Sequence, residues 1–355
     1  MNNLMVNIGV PEEGAKELLN SFTLPVIEFG SESGLLPLLR ENIHINMKTV
    51  KYTPYDKVVE LLASIVAGCQ HTVTINSRLV PDTVLAEELI GKDRFADQSG
   101  INRLLQSITY ENVDELERVF SAYYMTHGIA WKKESVVVDI DMTGFKANGK
   151  TYENTEKGYI CEKGDRGYKA TFAYTDKEVI GMVFGKGNEV EVNQINDILK
   201  VIKERIGSPK IKDIIIRGDA GFGISTIIDI LYSQSFLFIL KGKQRSSAKR
   251  FSRRIKNWIA IPNSPDELAY GEMRAKVTGS RHRSRIVVFR MKKNGNYVYF
   301  HIITNLPDTL YNAETILKMY NQGQNIEAFI KPDKSGLHIK NLRTRKYNGI
   351  RYVIL

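Results

Sequence analysis

Two aspartates interrupt a strongly β-prone run, SVVVDIDMTGF at residues 135–145, and their types and spacing are suited to chemistry. Because side chains along a strand alternate with a period of two, Asp139 and Asp141 lie on the same face. A buried carboxylate is costly unless it is paired, hydrogen-bonded or bound to a metal. The sequence therefore predicts a partner of one of these kinds opposite Asp141.

A third aspartate, Asp219, directly follows another β-branched run at residues 211–216 and has glycines on both sides of it, at 218 and 221. In an α/β sheet, ligands bind beyond the carboxyl ends of the strands, which is where Asp219 is expected. Taken alone, the same residue is also typical of a simple turn or helix cap.

A glutamate, Glu327, lies in a helical pattern further along the chain. The residues predicted to share its face are Tyr320, Lys331 and Lys334. Alone, this pattern is typical of a solvated helix face. Together with two aspartates from neighbouring strands, however, a helix glutamate would provide oxygen ligands for two Mg²⁺ ions about 3.5–4 Å apart, the arrangement that activates an attacking hydroxyl and stabilises a leaving 3′-oxygen.

The net charge of +10 is unevenly distributed over the 355 residues. Residues 1–130 contain 10 Lys and Arg against 17 Asp and Glu, whereas residues 131–355 contain 40 against 23. The segments 241–256 and 274–293 each carry eight basic residues and no acidic one. Such density favours binding to a polyanion such as DNA in a salt-dependent manner. A basic surface that is merely solvated is the alternative.

The elements that must position these residues follow an α/β pattern. Over residues 131–240 the order is three strands, helix, strand, helix, strand, which matches a ribonuclease-H-like mixed sheet. Residues 241–305 interrupt this order as a β-rich insertion. We therefore divide the chain into a mostly helical N-terminal region, residues 1–130, and a catalytic domain, residues 131–355.

Two short predicted helices, at residues 82–90 and 98–108, have the spacing of a helix-turn-helix. Asn102, Arg103 and Gln106 would then face a DNA major groove. The acidic balance of this region argues against strong phosphate binding, so a plain packing module remains an equal alternative.

The chain contains no apolar run long enough to span a membrane and no basic, apolar signal peptide at its start. Its two cysteines, Cys69 and Cys161, match no metal or redox motif, and we expect both to be buried, reduced thiols. These features favour a cytoplasmic protein, associated with the nucleoid if it binds DNA.

Taken together, these motifs resemble the DDE transposases of bacterial insertion sequences, in the group with the signature Tyr-x2-Arg-x3-Glu-x6-Lys. The similarity extends from about residue 54 to the last residue. The residues that carry it are 97–103 (DQSGINR), 137–144 (VVDIDMTG), 157–159 (KGY), 216–222 (IRGDAGF) and 320–334, which begins YNQG and contains IEAF.

The resemblance implies a ribonuclease-H-like enzyme that cuts and joins DNA with two Mg²⁺ ions, for which Mn²⁺ is expected to substitute. Its catalytic and metal-binding triad falls on Asp141, Asp219 and Glu327. Asp141 is preferred to Asp139 because the first aspartate of the family is commonly followed, one residue on, by Thr or Ser, here Thr143. Asp139 is then a supporting neighbour. The expected partners are terminal inverted repeats, target DNA and a second copy of the chain.

DNA contacts implied by the resemblance and by the basic segments are spread along the chain. They fall on Arg103, Arg253, Arg254, Lys256, Trp258, Tyr320, Lys331 and Lys334. In some relatives an insertion-domain tryptophan stacks on a flipped base, and Trp258 lies among basic residues that would suit this role. A core tryptophan is the alternative interpretation.

The sequence also departs from the family signature. Gly323 stands at the arginine position, which weakens a helix by about 1 kcal/mol, and Pro332 is expected to end or kink the helix before Lys334. Relatives continue with further helices beyond the apolar run at 351–355, so we expect a C-terminal truncation. Two alternatives follow: a catalytically impaired DNA-binding remnant or regulator, and a general ribonuclease-H-like nuclease.

Overall fold

The structure, a computed structural model, describes residues 18–175, 178–207, 213–243, 245–262, 264, 267–323 and 337–355. Residues 18–129 are mostly helical, as the sequence predicts. Its helices are α1 (Thr23–Glu32), α2 (Leu35–Asn42), α3 (Pro54–Val66), α4 (Val73–Arg78), α5 (Thr83–Ile90), α6 (Gln98–Ser107) and α7 (Tyr110–His127).

Side-chain caps define where several of these helices begin. Thr53 and Asp56 form a reciprocal capping box at the start of α3. Helix α5 is capped by Asp82 and ends at Gly91, whose φ of +62° suits glycine. Helix α6 is capped by Asp97, whose Oδ1 accepts from the Gly100 amide at 3.1 Å.

The two helices of the predicted helix-turn-helix have different surroundings. Helix α5 packs against α1 and α3, whereas α6 packs against α3 and α4. They therefore share α3 as a neighbour, and most of their buried surface is directed towards other helices.

After residue 130, the strands of the described part of the chain form one ten-stranded sheet. Its strands are β1 (Ser135–Lys146), β2 (Glu156–Tyr159), β3 (Lys163–Tyr174), β4 (Val179–Lys186), β5 (Asp213–Gly218), β6 (Leu237–Lys241), β7 (Ile259–Ala260), β8 (Ala269–Lys276), β9 (Arg283–Lys293) and β10 (Asn296–Thr304). Their order is β2-β3-β1-β5-β6-β10-β9-β8-β7, with β4 paired to β3.

The β1 strand is the centre of the predicted ribonuclease-H-like sheet. It runs antiparallel to β3 and parallel to β5, and β5 runs parallel to β6. Helix α8 (Glu191–Ile206) connects β4 to β5, and α9 (Ser225–Ser233) connects β5 to β6. The mixed α/β fold predicted from the order of the elements is confirmed.

The insertion at residues 241–305 is rich in strands, as expected, but it extends the central sheet. Strand β10 pairs antiparallel with β6, so β7 to β10 continue the sheet beyond its ribonuclease-H-like part. The first basic segment was not predicted to be helical, yet it contains α10 (Arg245–Ser252).

Two further helices complete the described fold. Helix α11 (Ala313–Gln322) packs on the sheet beside β6, and α12 (Tyr347–Ile354) packs against α6 and α7. The apolar run at 351–355 therefore lies largely within α12, where Tyr352 is buried. Cys69 is buried as predicted, whereas Cys161 is exposed, so that prediction is wrong for Cys161. Within the described residues, none of the helices is long and apolar enough to cross a bilayer.

Candidate active site at the ends of the central strands

The two faces of β1 differ in the way its alternating pattern predicts. Val138 and Ile140 belong to the hydrophobic core that also contains residues of α8 and α9. Val137 packs against the core on the opposite side, to which α11 contributes. Asp139 shares this second face and exposes only 8% of its surface, so its charge requires compensation.

The compensating group is Arg217 of β5, which pairs with Asp139 in the parallel register. Its Nε donates to Oδ1 of Asp139, and its second terminal nitrogen donates to Oδ2 at 2.6 Å. This fork-to-fork geometry is the strongest form of a charge-assisted pair. The arginine pair thus belongs to Asp139, and the predicted partner of Asp141 stays a prediction.

Arg217 also explains the glycine at the signature arginine position. Its remaining terminal nitrogen donates to the carbonyl of Met319, near the end of α11. A Cβ atom at Gly323 would lie 2.8 Å from Nε of Arg217 and 3.0 Å from Oδ1 of Asp139. The guanidinium group thus fills the space into which a side chain at position 323 would project, and it connects the end of α11 to two strands.

Asp141 and Asp219 occupy neighbouring positions beyond the last paired residues of β1 and β5. That last pair is Ile140 with Gly218; Asp141 is the next residue of β1, and Asp219 is the first residue after β5. Asp141 is half-buried in β1, where it pairs with Phe172 of β3, whereas Asp219 is exposed. We call these two residues the strand-end site.

The turn after β5 orients Asp219. Its Oδ1 accepts from the amide of Gly221 at 2.8 Å, closing a local turn of the kind that Asp favours. A Cβ atom at Gly221 would lie 2.6 Å from Oε1 of Glu191 and 3.1 Å from Oδ1 of Asp219. Gly221 therefore allows the turn to pass between two carboxylates.

Glu191 was not identified from the sequence. It lies in the first turn of α8, a position where acidic residues are favoured by the helix dipole alone. Sequence spacing gave no signal that α8 would bring it next to the turn containing Asp219, because that proximity depends on how β4, α8 and β5 are connected.

Part of the predicted site lies outside the described residues, namely Glu327, Lys331 and Lys334. Tyr320 lies on α11, half-buried against the core beneath it. Among the residues that the structure describes, no group of three or more His, Cys, Asp or Glu side chains is arranged to hold a metal. The strand-end site offers carboxylate oxygens, which suit a hard divalent cation.

The predicted DNA-contacting residues of the insertion differ in exposure. Arg253, Arg254 and Lys256 follow α10 and are exposed. Trp258 is half-buried, and the guanidinium carbon of Arg290 lies 4.5 Å from its ring centre. One face of the indole is therefore already covered by an arginine, so base stacking by Trp258 stays a prediction.

The second basic segment, 274–293, is used partly inside the protein. Arg285 exposes 3% of its surface and donates to Oε2 of Glu272 at 2.6 Å. The guanidinium carbon of Arg290 lies within 5 Å of two aromatic ring centres, 4.5 Å from that of Trp258 and 4.9 Å from that of Tyr297. Charge density in the sequence therefore overestimated the number of cations that this segment offers to DNA.

Comparisons with known proteins agree with these observations. The family model described as Transposase DDE domain group 1 matches residues 23–354. No curated protein matches the chain.

Two solved structures illustrate what the chain is similar to. The piggyBac transposase synaptic complex with hairpin DNA matches at 14% identity and a TM-score of 0.47, over 95% of this chain and 72% of that one. The Mos1 transposase paired-end complex with the left transposon end matches at 11% identity and a TM-score of 0.20, over 54% of this chain and 60% of that one. Because both scores are below 0.5, the family assignment depends on the family model.

Proposed function

The chain belongs to group 1 of the DDE-domain transposases, and on that premise we propose that it cuts DNA strands at the ends of an insertion sequence and joins them to target DNA with the help of divalent metal ions. The observation that carries this proposal is the strand-end site, in which Asp141 and Asp219 directly follow the last paired residues of two parallel strands.

In this proposal Asp141, Asp219 and Glu327 hold the metal ions. Mg²⁺ or Mn²⁺, when bound, would supply the Lewis acidity that phosphoryl transfer requires. Asp141 is fixed by its position within β1, and the turn hydrogen bond from Gly221 orients Asp219. Both carboxylates are thus held by backbone structure before any ligand arrives, which lowers the cost of assembling the site.

The proposed role of Arg217 is to position its neighbours. It neutralises Asp139, which would otherwise add a buried negative charge beside Asp141, and it holds the end of α11 against β5.

The proposed partners are the terminal inverted repeats of the element and target DNA, with two copies of the chain acting together. The exposed cations after α10 support this assignment, because arginine and lysine side chains neutralise backbone phosphates without regard to base sequence. Gly323, one of the departures that motivate the alternative of a catalytically impaired remnant, fits closely beside the Arg217 clamp, and that alternative stays open.

The proposal is tested by incubating the purified protein with Mg²⁺ or Mn²⁺ and DNA carrying the inverted repeats that flank its gene. Wild-type protein should nick the repeat ends and join them to target DNA, and Asp219→Asn should abolish both reactions. Asp197→Asn, an exposed change on α8, serves as the matched control. Cleavage that survives Asp219→Asn would refute the site, and equal cleavage of DNA without repeats would favour a general nuclease.

A further inference from the structure

The N-terminal region contains a basic groove, although the net charge of the region is negative. A cavity of 830 Å³ lies between the extended segment 46–52, the start of α3, the loop 93–97 and α6. The cations that line it are Lys48, Lys51, Lys57, Arg94 and Arg103. These are five of the ten Lys and Arg residues in the first 130 residues of the chain. We refer to these five cations and the cavity between them as the N-terminal groove.

The carboxylates in the groove do little to neutralise it. Asp93 pairs with Lys51 at 2.7 Å, but both side chains are well exposed, and such a pair holds its geometry weakly. Asp97 is engaged in capping α6, where its Oδ1 accepts from the Ser99 hydroxyl at 2.6 Å and from the Gly100 amide. Five cations thus face two carboxylates, and a net positive charge remains.

Lys57 distinguishes this groove from an ordinary basic surface. It exposes only 6% of its surface although it lines the cavity. In the described part of the chain, its ammonium group has as its hydrogen-bond acceptor the sulfur of Met47, at 3.7 Å. A thioether is a weak acceptor, so this ammonium group, on a side chain that is largely buried, lacks a strong hydrogen-bond acceptor among the described residues.

The neighbouring glutamate does not provide that partner. Glu60, one helical turn from Lys57, is fully buried, and its Oε2 accepts from the Ala96 amide at 3.0 Å. Burial raises the pKa of Glu60 to about 8, so its side chain is largely neutral at physiological pH. Burial, followed by the nearby Arg103, lowers the pKa of Lys57. An anion that enters the groove would offset the positive charge of Arg103 and so raise the pKa of Lys57 again.

We propose that the N-terminal groove binds a backbone phosphate of DNA, with Lys57 at its floor and Arg103 and Lys51 at its rim. A phosphate offers several strong acceptor oxygens to cations on different elements at once, and the groove presents cations from α3, α6 and the segment before α3. The choice of DNA over other polyanions rests on the proposed function, because a transposase must hold DNA.

The groove also gives a specific role to part of the motif at residues 97–103. Asp97 and Gly100 form the capped start of α6 and Arg103 projects from its first turns, so the motif shapes one wall of the groove. Phosphate contacts of this kind set the position and orientation of DNA and do not read its sequence. The groove is therefore expected to add affinity equally for repeat and unrelated DNA.

The test measures binding of the full chain to a labelled duplex, without divalent metal, over a series of salt concentrations. Lys57→Met keeps the buried stem but removes the charge, and Arg103→Gln removes an exposed charge. Each should weaken binding several-fold and reduce the slope of log Kd against log salt by about 0.9 for each phosphate that the variant no longer neutralises. Arg118→Gln, an exposed change on α7 outside the groove, should leave the slope unchanged.

Distinct outcomes separate this inference from the proposed function. If the wild type binds DNA and both groove variants keep its salt slope, the groove inference is wrong while the proposed function stands. If the wild type binds no DNA at low salt, both fail together. If a poly-aspartate peptide binds the wild type but not the groove variants, while DNA binding is unaffected, the groove serves an acidic protein partner and the DNA assignment is overturned. Arg103→Gln keeps the test decisive if Lys57→Met does not fold.

Discussion

The sheet and the helical region differ in how they treat buried charge. In the sheet, Arg217 and Arg285 are buried, and each has a carboxylate oxygen 2.6 Å from one of its nitrogens. In the helical region, Lys57 contacts a thioether and Glu60 has one oxygen with no hydrogen-bond partner in the described structure. Paired charges fix strands and helices in place, whereas unpaired charges remain responsive to pH and to ligands.

This difference indicates which buried charges are structural. A buried pair is costly to break, because the remaining partner is left as an uncompensated charge. A buried single charge already carries that cost in the folded state, and a bound ligand or a change in protonation can relieve it. The contrast can be tested one residue at a time.

The largest effect is expected from breaking the Arg217 clamp. Arg217→Met should lower the free energy of unfolding by about 3–5 kcal/mol, since the buried carboxylate of Asp139 loses its guanidinium partner. Urea denaturation measures this loss. Replacing both partners, as Arg217→Met with Asp139→Leu, should recover most of it. A loss below about 1 kcal/mol for Arg217→Met alone would show that this pair contributes no more than an exposed ion pair does. The proposed difference between the sheet and the helical region would then be wrong.

A pH effect of a few kcal/mol is expected from Glu60. Its pKa is about 8 in the folded protein, above its ordinary value of 4.5, so the folded state holds the proton more tightly than the unfolded state does. The corresponding stability is complete below pH 4.5 and is lost as the pH rises to about 8. Unfolding measured at about pH 5 and about pH 8 should show this loss for the wild type but not for Glu60→Gln.

The matched control for Glu60→Gln is Glu88→Gln, an exposed change on α5 that should retain the wild-type pH dependence. If Glu60→Gln retains the wild-type pH dependence too, the buried glutamate does not titrate as described. The helical region would then not differ from the sheet in how its buried charged groups respond to pH.

The smallest effect is expected at Gly323. An alanine in a helix-like conformation normally gains up to about 1 kcal/mol over glycine, but here its methyl group would meet Arg217 and Asp139 at 3.0 Å or less. We expect Gly323→Ala to destabilise by about 1–3 kcal/mol. Gly30→Ala on α1, where the nearest atom is 3.6 Å away, should stabilise instead. The same sign for both variants would show that the clamp yields easily.

Sequence-based prediction succeeded for elements whose hydrophobic pattern and capping residues favour the same structure that their packing in the fold requires. The strand around Asp139, the capped helix α5 and the run from α8 through β5 and α9 to β6 all belong to this group, although four strands precede α8 where three were predicted. Helices α1 and α2 were not predicted, because Pro25, Gly30 and Pro37 break the pattern. Both prolines lie in first helical turns, where they are tolerated, and these helices are stabilised by buried residues such as Leu24 and Leu39.

Only two features of the site could be predicted from the sequence: the strand face on which an aspartate lies, and the turn that follows a strand. Alternation placed Asp139 on one face of β1 and the glycines placed Asp219 in a turn, but neither pattern gives the neighbouring strand. Arg217 and Glu191 come next to these aspartates through the order of strands, which residue spacing does not encode. Glu327, Lys331 and Lys334 lie outside the described residues, and their roles stay predictions.

Helix α12 has a consequence for how the protein folds as it is synthesised. Tyr352 is buried in the core of the helical region, while Ile350 is buried against β1, β3 and β4. A Cβ atom at Gly349 would lie 2.3 Å from the Leu105 carbonyl, so the backbones of α12 and α6 approach closely. Residues at the two ends of the described chain therefore complete one core, and α12 adds its side chains to helices made more than 200 residues earlier. Because contacts over such sequence distances form slowly, we expect the contacts of α12 to be among the last to form during folding.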